Sequence, residues 1–437
     1  MIRCAGRGAV PMLAIAAAAT MLIAPQRASA EPDGCTSAHW VSNWSASPSD
    51  ARPAGEIGVA PARPQTYRVI ATPHRGGESV RIHLTNRFGR EPVTFTHVTV
   101  ARQGAGAAVE PDSTHTALFG GRESITVAPG TDIVSDPVSI AFANFAPLAV
   151  SVYMDSAPTT IPGHDDGNAT SYYTGAGSGD HAADAGADAF VNVTTHVPFV
   201  SQIDVLAAPD VSTVVAFGDS ITEGHVGSDF IGNSKLEGVV DQNVRYPDFL
   251  QRRLDAAGRK LVVTNAGIGG NRLTRDTIPV MPRFGPAGLS RIQADVIAQS
   301  GASDVIVLIG INDLGTPIGV SYEEMIDAYT RTVDQFHRAG LKVHLGTLLP
   351  ASDTLLHGYI SIPPADPVRM RLNSWIRTRA LADSVIDFDA ALRDTGNPSI
   401  LDKRYASADN LHPNPEGYRV MADAIDIARF SGSKCVP

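Results

Sequence analysis

Five short apolar runs, rich in β-branched residues and separated by helical segments, fill the second half of the chain: Val211 to Phe217, Leu261 to Thr264, Asp304 to Ile309, Val343 to Leu348 and Val385 to Phe388. Runs this short and this continuously apolar are strands buried on both faces, and the helices between them supply the cover. The helices have legible ends. Ser321-Tyr-Glu-Glu324 is a capping box ahead of Met325, Ile326, Tyr329, Val333 and Phe336, and Gly340 closes that helix. Asp366-Pro367 and Asn414-Pro415 each place a capping residue before a proline at the first helical position. Residues 212–437 therefore read as an α/β domain built on about five parallel strands.

The texture before this is different. Val80, Ile82 and Leu84 alternate with Arg81, His83 and Thr85, and Leu148, Val150, Val152 and Met154 alternate with smaller or more polar neighbours. A period of two marks strands with one buried face, and Asn86 to Gly89, Pro129-Gly130 and the Gly/Ala/Asp-rich stretch 175–188 supply the turns. Residues 35–205 read as an antiparallel β-sandwich of jelly-roll type, with 206–211 as linker. Asp180, Asp184 and Asp188 recur every fourth residue, which matches no calcium-loop spacing, so they read as a solvated loop. Trp40 and Trp44 read as packing rather than as a sugar-stacking platform.

Residues 1–30 carry Arg3 and Arg7, an Ala-rich apolar run from Val10 to Ala24 broken by Pro25, and a small-x-small site at Ala28-Ser29-Ala30. This is the pattern of a secretory signal peptide, which places the mature protein outside the cell or in the periplasm. Its removal takes three arginines and no acids, so the formal charge moves from −10 to −13. Such an excess of acid argues against a nucleic-acid partner. No apolar run reaches the ~20 residues needed to span a bilayer, so no integral membrane association is expected. Cys4 leaves with the signal. Cys35 and Cys435 remain, and an even pair in an exported protein is expected to form a disulfide.

In an open parallel sheet, ligands bind beyond the carboxyl ends of the strands. The first strand there runs into Gly218-Asp219-Ser220-Ile221-Thr222-Glu223-Gly224, the second into Asn265-Ala-Gly267-Ile-Gly269-Gly270-Asn271, and the third into Gly310-Ile311-Asn312-Asp313. Near the end, Asp409-Asn-Leu-His412-Pro413 sets a carboxylate and an imidazole three residues apart, just ahead of a helix. Each segment alone is an ordinary turn. Together, in this order, they resemble the four consensus blocks of the SGNH (GDSL-type) hydrolase family across residues 211 to 437.

The resemblance implies a three-layer α/β/α fold and a serine esterase mechanism. Ser220 matches the nucleophile, Asp409 and His412 the acid and base of its triad, and Gly270 and Asn312 the oxyanion-hole residues that act with the Ser220 backbone N–H. Physical chemistry agrees with those roles: a serine hydroxyl needs a base, the base needs a carboxylate to fix its tautomer, and the tetrahedral oxyanion needs donors. The chain holds no Gly-x-Ser-x-Gly elbow, no His-Glu-x-x-His and no phosphate-cradling loop followed by lysine, so neither metal nor cofactor is expected. The long segment His225 to Arg245 lies beside the nucleophile and is expected to shape the substrate pocket.

The run from His39 to Pro48, followed by a β-rich domain and then the catalytic blocks, resembles a secreted bacterial branch of this family, arylesterases and acylhydrolases some of which are linked to xylan breakdown. That likeness implies a small-molecule or polysaccharide ester with a short acyl group, commonly acetyl, cleaved by a monomer. A lipase or phospholipase-like acylhydrolase is the alternative, which an exposed apolar patch near Ser220 would favour. An acyltransferase would use the same triad, because transfer and hydrolysis share the acyl-enzyme.

Overall fold

The computed structural model describes residues 36–55, 64–156, 158–232, 234–277, 281–315 and 318–435. The expected signal segment 1–30 and Cys35 lie outside the described residues.

The N-terminal region is antiparallel. One sheet orders His39–Ser45, Val200–Ala207, Gly77–Thr85 and Val138–Phe142, with Asp132–Val134 also paired to Gly77–Thr85. A second orders Asn192–Thr194, Ser171–Tyr173, Gln65–Ala71, Leu148–Met154, His97–Arg102 and His115–Thr116. Val80, Ile82 and Leu84 of the first and Val69, Val98, Val100, Val150 and Val152 of the second share one hydrophobic core, the arrangement of a sandwich. The alternation seen in the sequence is the inward face of Gly77–Thr85. A smaller sheet of Val197–Pro198, Thr160–His164 and Asp50–Pro53 stands beside these. Trp44 is buried in the core, and Trp40 stacks under the Arg81 guanidinium at 4.3 Å. The 180–188 loop is tied down from within: buried Arg68 donates to the carbonyls of His181, Ala182 and Asp184.

The C-terminal half is the expected α/β unit. Five parallel strands order Leu261–Gly267, Ser212–Gly218, Ala302–Leu308, Lys342–Gly346 and Ser384–Ile386. In chain order this is 2-1-3-4-5, so the direction of winding reverses at the first strand, where a crevice forms at the strands' carboxyl ends. Four of the five are buried throughout their centres because helices cover both faces, whereas Val385 in the edge strand Ser384–Ile386 is exposed. The helix Tyr322–Arg338 carries the capping box, with Ser321 Oγ accepting from the Glu324 N–H and the Glu324 carboxylate accepting from the Ser321 N–H. Asn414 caps Pro415–Asp423 through the Gly417 N–H.

Some boundaries differ from those expected, and the strand expected over Val385 to Phe388 ends at Ile386, with Asp387 capping a helix that Phe388 opens. The helix expected to be capped by Asp366 starts at Ala365 and runs to Thr378, with Asp366 inside its first turn, accepting from Arg369 Nε. Pro367 still costs no bond, since the first four N–H groups of a helix have no partner within it. The strand Val200–Ala207 also runs two residues into the expected linker, because Leu206 and Ala207 pair with Trp40 and His39.

The two halves are stitched together. Ser42 N–H donates to Ser300 O at 2.8 Å, Ser45 Oγ to Asn265 O at 2.8 Å and Thr213 Oγ1 to Ser42 O at 2.9 Å. Buried His74 meets buried Asp248 across the same boundary at 2.9 Å. The N-terminal strand His39–Ser45 is thus held against the edge of the parallel sheet.

Candidate active site

All four motif segments meet at the carboxyl end of the parallel sheet. Strand Ser212–Gly218 breaks at Asp219, whose carboxylate accepts the Ile221 N–H at 3.0 Å and caps a single turn, Ser220–Glu223. Gly218 makes the turn possible: a Cβ there would lie 1.9 Å from Thr222 Oγ1 and 2.5 Å from Leu308 O. Gly224 ends the turn in the left-handed region, at φ 99°.

Asp409 and His412 come from the turn before Pro415–Asp423. Asp409 Oδ1 accepts three donors: the N–H groups of Leu411 and His412, both at 2.9 Å, and Ser407 Oγ at 2.8 Å. Asp409 Oδ2 lies 2.6 Å from His412 Nδ1, and His412 Nε2 lies 2.8 Å from Ser220 Oγ. All three residues are buried. Burial by itself would raise the Asp409 carboxyl, but His412 and the donors outweigh it and hold it well below the usual carboxylate range. With Asp409 ionised, the proton on His412 sits at Nδ1, so Nε2 is the acceptor facing the serine.

Gly270 and Asn312 line the same cavity as Ser220 and His412, which encloses about 420 Å³. Gly270 has φ +68°, a conformation only glycine adopts at low cost, and a Cβ there would meet the Phe284 ring at 2.5 Å. Among the described residues, neither the Ser220 nor the Gly270 backbone N–H has an acceptor. Asn312 lies in the short helix Ile311–Leu314, with Nδ2 donating to Asn271 O at 3.0 Å and Oδ1 facing His357 Nε2 at 3.1 Å. Asp313, next in the motif, turns away and accepts from Leu273 N, Thr274 N and Thr274 Oγ1.

Several further residues of the site were given no role of their own in the sequence; of these, Glu223 lies within the first motif segment and His225 opens the segment after it. Arg291 is buried and donates to Gly218 O at 2.7 Å, Ala266 O at 2.8 Å and Asn271 Oδ1 at 3.0 Å, so one guanidinium ties two strand ends to the glycine-rich loop. His357 comes from the irregular turn Leu355–Tyr359. His225 stacks edge-on against His412 at 4.6 Å, and burial, then His412, lower it to about 4. Glu223 accepts the Gly269 N–H at 2.9 Å, and burial, then Asp166, push its carboxyl above the usual range. Asp165 and Asp166 reach the cavity from the N-terminal region, paired with Arg52 and Lys235. Nothing local in the sequence marks Arg291, His357, Asp165 or Asp166, because each is selected by a contact made across the fold.

The segment after Ser220 does border the pocket: His225, Phe230, Ile231 and Gly232 line it, and Gly227 and Gly232 pack so close to Asp409 that a Cβ on Gly227 would lie 2.2 Å from Oδ2. Arg272 also lines it. Among the described residues, one group of three could bring metal-ligating atoms within 4.8 Å of one another, and it is His225, Asp409 and His412, two of which are already joined in the serine relay. Also among the described residues, no helix is long and apolar enough to cross a membrane. The partner expected for Cys435, Cys35, lies outside the described residues.

A doubly wound parallel sheet thus brings a serine at the end of its first strand and an imidazole–carboxylate pair from the last loop together at one cavity. Residues 216–420 match the GDSL-like lipase/acylhydrolase family, and the C-terminal domain belongs to that family, as the resemblance of its four blocks to SGNH hydrolases implied. The protein is an ester-cleaving hydrolase. No curated protein matches the chain. Solved structures similar to it include the native aryl esterase of M. smegmatis, at 18% identity and TM-score 0.40 over 49% of this chain and 96% of that one. A Corynascus thermopiles carbohydrate esterase family 2 enzyme with a carbohydrate binding domain is similar at 14% identity and TM-score 0.38, over 84% of this chain and 94% of that one. Est24, a carbohydrate acetylesterase from Sinorhizobium meliloti, is similar at 15% identity and TM-score 0.37, over 49% and 95%.

Proposed function

We propose that this chain is an exported serine esterase that forms an acyl-enzyme on Ser220. The observation that carries the reading is the unbroken relay from Asp409 through His412 to Ser220, at 2.6 and 2.8 Å, opening on a cavity that Gly270 and Asn312 also line. His412 Nε2 takes the Ser220 proton as Oγ attacks the ester carbonyl. The oxyanion is held by the backbone N–H groups of Ser220 and Gly270 and by the Asn312 amide, where loss of one donor costs about 10²- to 10³-fold in rate. His412 then protonates the leaving alkoxide, and a water activated by the same imidazole releases the acid.

The cavity has two kinds of wall, which bears on the substrate. Phe284, Leu355, Leu356 and Leu411 are apolar, whereas Asp165, Asp166 and Glu223 offer carboxyl groups suited to a hydroxylated alcohol. This supports a short-acyl ester of a carbohydrate or small alcohol. One observation favours the second reading, a longer-chain acylhydrolase: Phe230, Ile231 and Met281 line the cavity yet are 44%, 53% and 40% exposed, and Tyr359 approaches the Phe230 ring at 6.2 Å. Such an exposed apolar rim is the expected companion of a long acyl chain.

An ester panel of increasing acyl length, run beside acetylated xylan with Ser220→Ala as control, separates the readings. Highest kcat/KM on acetyl esters supports the first, and a preference for long chains transfers the conclusion to the second. Unchanged activity in Ser220→Ala would end both. Export implies a Cys35–Cys435 bridge, for which intact mass with and without alkylation is decisive: two alkylated thiols in the native exported protein would refute it.

A further inference from the structure

Asn312 can serve an oxyanion only if its amide is held the right way round, and a primary amide has two nearly isosteric orientations. Two contacts decide between them. The Asn271 carbonyl is an acceptor, so the group facing it at 3.0 Å has to be the NH₂. Oδ1 then faces His357 Nε2 at 3.1 Å, and since Oδ1 only accepts, that nitrogen has to carry the imidazole proton. One Nδ2 hydrogen is spent on Asn271, and the other remains for the substrate. Burial, then nearby His412, keep His357 neutral, at about 4.

The surroundings are shaped to this contact. His357 is buried, and its backbone N–H is taken by Thr354 Oγ1 at 3.3 Å. Gly315, three residues beyond Asn312, leaves room for the ring: a Cβ there would lie 2.7 Å from His357 Cδ2.

We propose that His357 is a positioning residue for catalysis: its Nε2–H locks the Asn312 amide so that one N–H points at the developing oxyanion. It touches neither Ser220 nor the acyl group in this role and acts only through Asn312. The inference rests on the reading of Asn312 as an oxyanion donor.

A double-mutant cycle tests it, with kcat and KM measured on a short activated ester and each enzyme counted by active-site titration. His357→Leu should lower kcat about 10- to 10²-fold with KM little changed, somewhat less than Asn312→Ala at about 10²- to 10³-fold. In the Asn312→Ala background, His357→Leu should cost nothing further. His357→Gln, which places an amide N–H where Nε2–H was, should recover most of the loss. Affinity for a boronic acid that forms a tetrahedral adduct on Ser220 should fall in parallel with kcat. Equal losses in both backgrounds would mean a merely structural histidine and overturn the proposal, as would a His357→Leu enzyme with unchanged kcat or a His357→Gln enzyme no better than His357→Leu. Should His357→Leu fail to fold, His357→Asn, whose amide falls short of Asn312, takes its place in the cycle. If Asn312→Ala itself has no effect, the oxyanion assignment has failed rather than the positioning step alone.

Discussion

Replacing Asp409 by asparagine tests the relay at the point where the geometry makes the sharpest demand. Three donors converge on Oδ1: two backbone N–H groups at 2.9 Å and Ser407 Oγ at 2.8 Å. The side-chain amide in Asp409→Asn therefore has to keep its oxygen there, because an NH₂ group would face three donors. Its NH₂ then takes the place of Oδ2, 2.6 Å from His412 Nδ1. A donor at that position forces Nδ1 to be the unprotonated nitrogen, which moves the proton to Nε2, the atom 2.8 Å from Ser220 Oγ. The imidazole can then no longer accept the serine proton. Loss of the correct tautomer together with the carboxylate should lower kcat about 10⁴-fold, which corresponds to about 5.5 kcal/mol of transition-state stabilisation. Asp409→Ala is the discriminating partner. It removes the carboxylate but leaves His412 free to exchange tautomers, so it should retain more activity than Asp409→Asn. Steady-state kinetics on a short activated ester, with folded enzyme confirmed by circular dichroism, decides the matter. An Asp409→Asn enzyme more active than Asp409→Ala, or within tenfold of wild type, would refute the tautomer argument.

Gly270→Ala places a side chain at φ +68° and a Cβ 2.5 Å from the Phe284 ring, so it should destabilise the protein by about 1–2 kcal/mol from the backbone alone and lower kcat; adding Phe284→Ala should recover the clash but not the backbone part, as read by thermal melting. Arg291→Leu removes the donors that hold Gly218 O and Ala266 O and the buried ion pair with Asp295 at 3.1 Å, and urea unfolding should show a loss of about 3–5 kcal/mol. Burial pushes Asp219 up to about 7, so its proton is held more tightly in the folded state than in the unfolded chain; the associated stability is complete below about pH 4 and is lost as pH rises through 7. Asp219→Asn, which keeps the cap acceptor for Ile221, should therefore flatten the decline in unfolding free energy between pH 5 and 8 by about 2–4 kcal/mol, and a mutant whose decline matches wild type would contradict this.

The depth at which the sequence was readable followed the range of the interactions involved. The Ser321–Glu324 capping box, the Asn414 cap, the period-two alternation of Val80, Ile82 and Leu84, and the short β-branched runs of the parallel sheet are local, and the structure places them within a few residues of where they read. The start of Ala365–Thr378 was misplaced because Asp366 pairs with Arg369 inside the first turn instead of capping it, a choice between two local bonds that the sequence pattern does not rank. The linker shortened for a long-range reason: Leu206 and Ala207 pair with Trp40 and His39, far away in the chain.

The site divides along the same line. Ser220, Gly270, Asn312, Asp409 and His412 could be singled out because each lies in a short segment whose pattern is set by its own residues, and the structure brings them to one cavity. Arg291, His357, Asp165 and Asp166 could not be, since an arginine, histidine or aspartate in a helix or loop looks the same whether it faces solvent or a buried partner. Periodicity and composition thus determined the class of fold, and four motifs determined the reaction type. Only the tertiary structure decided which buried groups orient those motifs, how closely the two halves are joined and what walls the substrate meets. The physical reason is that these depend on distances between segments remote in sequence, where a hydrogen bond at 2.7 Å is strong and a miss by one ångström is none.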